Sequence, residues 1–197
     1  MILFAYPLSK TRLKGVKAVM RLVIFSMFFS GGLIPNYLLV SYLQLTNTRL
    51  AMLIPFAINQ FNLILLINFF KSIPVDLEEA AIIDGLDYKG ILVLIVLPLS
   101  TAALATVGLY AAVFFWNDWF HGLIYLKSSQ FPVMLFLRNI VTGTSMVGDA
   151  AGSGDKSTIA ISIKSAVIIT STLPIIVLYP FLQRYFVKGV MIGAVKG

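Results

Sequence analysis

No cysteine occurs in the 197-residue chain, so neither disulfides nor thiolate metal sites are open to it. Histidine is almost as scarce: His121 stands alone, which excludes a histidine pair or cluster as a metal site. A polar aromatic of that kind at a membrane boundary ordinarily just sits at the interface. Charge is the third shortage. Charged residues are 12% of the chain and apolar residues 59%, against about 25% and roughly 45–50% in an ordinary soluble domain. Such a chain cannot supply a water-facing surface. Also missing is a Gly-rich loop with Lys and Ser/Thr, so the chain binds no ATP itself. No carboxylate lies deep in an apolar run, which argues against a proton- or sodium-coupled carrier. One His, no Cys and no paired carboxylates in these runs offer no catalytic set for a membrane enzyme. Neither an internal repeat nor a soluble domain is present.

What the chain does have is apolar runs near 20 residues, the length that crosses a bilayer. An all-α, polytopic membrane protein is expected, one transmembrane domain over 1–197 with four complete spans. These are predicted at about 22–45, 50–70, 90–115 and 165–186. Gly31, Gly32 and Pro35 predict a kink or close helix contact in the first span. The third closes in Phe114, Phe115, Trp116, Trp119 and Phe120, and Pro174 and Pro180 bend the fourth. Met1 to Leu8 is apolar but too short to span, and its charges follow rather than precede it, unlike a secretory signal. It reads as the last two turns of a helix.

The net charge of +7 does not point to nucleic acid, because no basic stripe lies on a soluble face. Lys and Arg sit between the apolar runs, as anchors and topology signals. With both termini and segment 71–89 inside, the inner side gains Lys10, Arg12, Lys14, Lys17, Arg21, Lys71, Lys89, Arg184, Lys188 and Lys196. Arg49, Lys127, Arg138, Lys156 and Lys164 remain outside, so cytoplasmic termini are expected. The outer connection, 117–164, contains an interfacial stretch, Phe131 to Val141. Thr142 to Thr158, rich in Gly, Ser and Asp, reads as an exposed loop, either a connector or a contact for an external protein.

Segment 72–89 carries the most specific pattern. Pro74 suits a first helical position, and Asp76, Glu78 and Glu79 fall where the helix dipole favours negative charge. Leu77, Ala80, Ala81 and Asp84 recur at three- and four-residue spacing, giving a narrow face with two small residues. Gly85 offers the left-handed stop. A short, capped, acidic helix of this kind is either a docking element or a simple connector.

Glu79-Ala80-Ala81, three residues, Gly85, nine residues, Ile95, one residue, Leu97-Pro98 resembles the EAA signature of permease subunits in binding-protein-dependent ABC importers. Phe29-Ser30-Gly31-Gly32-Leu33-Ile34-Pro35, Trp116-Asn117-Asp118-Trp119 and the tail from Tyr179 to Gly197 resemble its carbohydrate branch, nearest to permeases for oligosaccharides and polysaccharide fragments. The resemblance implies a transmembrane subunit of an ATP-driven sugar importer in the bacterial plasma membrane. Its partners would be a dimer of ATP-binding subunits, a second permease subunit and an extracytoplasmic sugar-binding protein. ATP and Mg would be bound by the ATPase. Leu77, Glu79, Ala80, Ala81, Asp84 and Gly85 would dock that subunit, Glu79 pairing with one of its basic residues and the alanines permitting close approach. The tail would reach the ATPase as well. Phe4-Ala5-Tyr6-Pro7-Leu8-Ser9-Lys10 resembles the inner end of a span that family members carry complete, so a chain shortened at its amino end is expected. A permease for another solute and a fragment of a secondary transporter are the rival readings. The EAA spacing opposes the second, and the sugar-type tail opposes the first.

Two further sets have open readings. Trp116 and Asn117 suit either a sugar or an interfacial aromatic belt. Asn59 and Asn62, with Gln60 and Asn68, lie in the predicted second span, where amides either line a route or bond neighbouring helices.

Overall fold

The computed structural model describes the backbone of residues 1–10, 12–150 and 155–194, and the side chains of residues 1–10, 12–144 and 159–181. Every regular element among them is helical. In chain order they are α1 (Ile2–Ser9), α2 (Val16–Phe28), α3 (Leu33–Tyr42), α4 (Gln60–Ser72), α5 (Val75–Ile83), α6 (Tyr88–Leu99), α7 (Thr101–Asn117), α8 (Phe120–Tyr125), α9 (Val133–Ala150) and α10 (Asp155–Ala194). Single turns occur at Leu50–Leu53 and Ser128–Gln130.

The chain divides into two compact units. The first comprises Met1–Gly32, Phe56–Ala111 and Leu182–Gly197, the second Leu33–Pro55 and Ala112–Phe181. In the first, α1 packs along α4. Leu63, Leu66, Ile67 and Phe70 recur at helical spacing and form one buried stripe, met by Ala5, Tyr6 and Leu8. The Tyr6 ring stands edge-on to Phe70 at 6.4 Å. Ile91, Leu92 and Val96 of α6 and Ala103 and Val107 of α7 complete the cluster. Between helices in lipid such a cluster gains mainly from close packing, since lipid tails are as apolar as leucine. In the second unit Val40, Ala51 and Tyr125 form a smaller core.

The spans differ from their predicted form. Among the described residues only Ile159–Phe181 of α10 is a single helix long and apolar enough to cross a bilayer, rising to three spans if two broken pairs each count as one. Its 23 residues reach about 35 Å, against a hydrocarbon core of about 30 Å. The predicted first span is not kinked but broken at 29–32. There Gly32 takes a left-handed φ of 86° and its N–H donates to Ser30 Oγ. Pro35 falls in the first turn of α3, where its missing N–H costs nothing. The predicted second span contains only the turn Leu50–Leu53 and then α4, which starts at Gln60. The third is α6 and α7, meeting at 80° across Ser100. Within α6 a wide π turn covers Leu92–Val96, the Leu97 N–H reaching the Leu92 carbonyl five residues back. Pro98 accounts for this, because its ring would collide with the Leu94 carbonyl in a regular helix. The expected loop 142–158 is largely helix as well: α9 runs through Ala150 and α10 begins at Asp155. The tail contacts expected beyond Phe181 lie outside the described side chains.

Candidate docking site

Helix α5 is defined at both ends by local chemistry. Pro74 is its N-cap, one position earlier than the sequence suggests, and Asp76 and Glu78 lie in the first turn against the positive end of the dipole. At the other end Gly85 has φ 84°, its N–H donates to the Ile82 carbonyl, and the Leu86 N–H donates to the Ala81 carbonyl. That pair of bonds is a Schellman stop, and Leu86 closes it by packing on the same core as Ala81. Asp87 then caps α6, accepting from the Gly90 N–H at 2.7 Å.

The connections on either side are short. Two residues separate α4 from α5, and four separate α5 from α6. A displacement of α5 is therefore passed to the flanking helices rather than absorbed by slack chain.

The face predicted for docking divides. Leu77, Glu79, Ala80, Asp84 and Gly85 are exposed, but Ala81 is 4% exposed and belongs to the core. Ala81 thus fixes α5 to its own unit, while Ala80 leaves the outer surface flat. The sequence reading missed Val75, Ile82, Ile83 and Tyr88, which are also exposed, Ile83 to 86%. Their signal was the apolar end of the helix, Ile82-Ile83, next to no matching polar face.

Two ion pairs join α5 to the basic arm near the amino end. Lys10 Nζ pairs with Glu78 Oε1, and Arg12 Nη2 pairs with Glu79 Oε1 at 2.9 Å. Lys10 also lies 4.5 Å from the centre of the Tyr6 ring. The two pairs are unequal. Lys10 and Glu78 are 25% and 15% exposed, whereas Arg12 and Glu79 are 82% and 50% exposed. An exposed pair is worth about 0–1 kcal/mol, so Glu79 exchanges partners cheaply. Behind the pairs lies a cleft of about 540 Å³, lined among others by Tyr6, Phe70, Ile73, Ile82 and Tyr88.

The other candidates are placed apart from α5. Asn59 is the N-cap of α4, accepting from the Asn62 N–H at 3.0 Å, and Asn62 is buried. Trp116 Nε1 donates to the Ser171 carbonyl at 2.9 Å, which ties α7 to α10. Asn117 ends α7, and its carbonyl accepts from the Trp119 N–H. Next to it Asp118 is 8% exposed. Its Oδ1 accepts from the His121 N–H and contacts His121 Nδ1 at 2.8 Å, while Oδ2 is buried with no hydrogen-bond partner among the described residues. Arg138 covers the Trp119 ring at 3.8 Å, and His121 stacks on Tyr125 at 5.9 Å. Burial, and after it the Asp118 charge, pushes the Tyr125 hydroxyl above its ordinary pKa. Among the described residues no three His, Cys, Asp or Glu side chains converge as metal ligands.

Residues 4–192 match the family described as the binding-protein-dependent transport system inner membrane component. The chain is 47% identical over 198 residues to Protein LplC of Bacillus subtilis (strain 168), covering 98% of this chain and 66% of that one. It is also 47% identical over 199 residues to the polygalacturonan/rhamnogalacturonan transport system permease protein YtcP of the same organism, with 99% and 69% covered. Among solved structures it is similar to a chain of a bacterial ABC transporter involved in the import of the acidic polysaccharide alginate. The TM-score is 0.80 at 32% identity, covering 94% of this chain and 67% of that one. The chain therefore spans about two thirds of the length of these relatives.

Proposed function

Because the chain belongs to the family of inner membrane components of binding-protein-dependent transport systems, we propose that it is the transmembrane subunit of an ATP-driven importer for oligosaccharides or polysaccharide fragments. Helix α5 is its docking element for an ATP-hydrolysing partner. The observation that carries this reading is the division of α5: Ala81 anchored in the core, Leu77, Glu79, Ala80 and Asp84 presented outward. A connector needs no such outward face and no clean Schellman stop.

In this mechanism the chain does no chemistry. ATP and Mg are held by a dimer of ATP-binding subunits, and α5 seats in a groove on one of them. Glu79 leaves Arg12 for a cation of that subunit, and Ala80 lets the two backbones approach. Closure of the ATPase dimer then moves α5, and its short joints to α4 and α6 carry the motion into the membrane. A second permease subunit completes the pathway, and an extracytoplasmic binding protein delivers the sugar. With α4 and the turn before it taken as a fourth crossing, both termini and α5 lie on the cytoplasmic side. The sugar class rests on the relatives that transport polygalacturonan, rhamnogalacturonan or alginate.

The test is co-purification from membranes that also contain the second permease and the ATPase, pulling on the ATPase. The chain should accompany it, and Glu79→Lys or Gly85→Asp should abolish that association while membrane insertion persists. Undiminished association of both variants would refute the docking assignment.

A further inference from the structure

Among the described residues, five cations and no carboxylate line a second groove in the first unit, of about 820 Å³: Arg12, Lys14, Lys17, Arg21 and Lys71. Lys17 and Arg21, four residues apart, stack on one side of α2, and Lys14 joins them from the turn before it. Lys71 comes from the last turn of α4 and closes the groove from a distant part of the sequence. Among the described residues Lys14, Lys17 and Lys71 make no ion pair, and Arg21 Nε only donates to the Lys17 carbonyl at 3.3 Å. Like charges gathered in this way repel one another, and an anion between them removes that penalty. A topology signal requires only that cations lie on the right side of the membrane. It does not require them to converge.

The rest of the groove identifies the anion. Val16, Met20 and Ile24 lie among the cations. Past Arg21, α2 continues as Leu22, Ile24, Phe25, Met27 and Phe28, all strongly exposed or half-exposed, and no residue of α2 is buried. The element thus offers a cationic mouth followed by an open apolar flank, the profile that matches a phosphate headgroup followed by acyl chains. A free phosphate would satisfy the mouth and leave the flank uncovered.

We propose that the groove bounded by residues 12–24 and Lys71 binds the headgroup phosphate of an anionic phospholipid, whose chains lie along α2. The proposal rests on the membrane-spanning family assignment and not on the docking role of α5. Arg12 lines this groove and also pairs with Glu79; it stays intact in the test, so the two readings fail separately.

The experiment is native mass spectrometry of the full chain, with any subunits that co-purify, extracted in mild detergent and titrated with phosphatidylglycerol or phosphatidylcholine. Phosphatidylglycerol adducts should dominate in the parent. Lys14→Gln, Lys17→Gln and Lys71→Gln together should weaken them by on the order of a hundredfold, with phosphatidylcholine adducts unchanged. The triple Lys→Arg variant should retain them, which shows that the effect follows charge rather than misfolding. Equal phosphatidylglycerol binding by the parent and the Gln variant would overturn the proposal. So would displacement of the lipid by millimolar inorganic phosphate, which would assign the groove to a soluble anion.

Discussion

Glu78 and Glu79 stand on α5, each paired with a cation that arrives from 68 or 67 residues away. Asp118, just before α8, is buried and bound three residues along the chain to His121, among the rings of Phe120 and Tyr125. All three are carboxylates in segments that connect helices, and each has a partner, Asp118 through its Oδ1 alone. They differ in what removing the partner costs. The Arg12–Glu79 pair is mostly in solvent, so its exchange for another cation is nearly neutral. Asp118 is buried against His121, and loss of His121 takes the partner from a carboxylate that water hardly reaches. A carboxylate meant to meet a partner stays exchangeable, and one that shapes a turn does not.

Six substitutions test that contrast, those that act on stability taken from the largest effect to the smallest. Ala81→Glu places a carboxylate in the core beside α4 and α6 and should cost roughly 3–5 kcal/mol, read as loss of protease-resistant chain in membranes. Ala80→Glu, one residue away and exposed, should leave that resistance intact and act only on association with the ATPase. Asp118→Ala removes the acceptor of the His121 N–H and the contact to its ring, and should cost about 1–3 kcal/mol, lowering the melting temperature in detergent. For Gly85→Ala the left-handed φ is the only obstacle, since an added Cβ meets nothing within 4 Å. A cost of about 1–2 kcal/mol is expected, seen as faster hydrogen exchange of the Leu86 amide. Arg12→Ala should change melting least, by about 0–1 kcal/mol, and less than Lys10→Ala, whose pair with Glu78 is more enclosed. The contrast breaks if Arg12→Ala proves more damaging than Asp118→Ala.

The parts of α5 fixed by neighbours in sequence were legible. Asp76 and Glu78 at one end and Gly85 at the other act within a turn of where they stand. Its orientation was not. Val75, Leu77, Ala80, Ala81, Ile82 and Ile83 leave the helix apolar on most sides, so the choice of Ala81 as the inward residue is made by Leu86 and the rest of the core. The helix breaks were hidden for a related reason. Apolar composition marks a preference for lipid, and Phe29 or Leu97 to Leu99 satisfy it whether or not the backbone runs straight. Gly32 and Pro98 were visible, but which would bend, break or widen a helix depends on packing. The α9 helix was misread because Thr142 and Thr144 look like loop residues. Their hydroxyls instead donate to the Arg138 and Ile140 carbonyls four residues back, which satisfies them within a helix.

The central claim is that α5 turns Ala80 toward a partner and Ala81 toward its own core. The chain contains no cysteine, so Ala80→Cys or Ala81→Cys introduces a single thiol whose reaction with a membrane-impermeant maleimide can be followed in inside-out vesicles. Ala80→Cys should label readily in the absence of the ATPase and be protected when the ATPase is present, while Ala81→Cys should label poorly in both. Equal labelling of Ala80→Cys with and without the ATPase, or faster labelling of Ala81→Cys, would contradict the account.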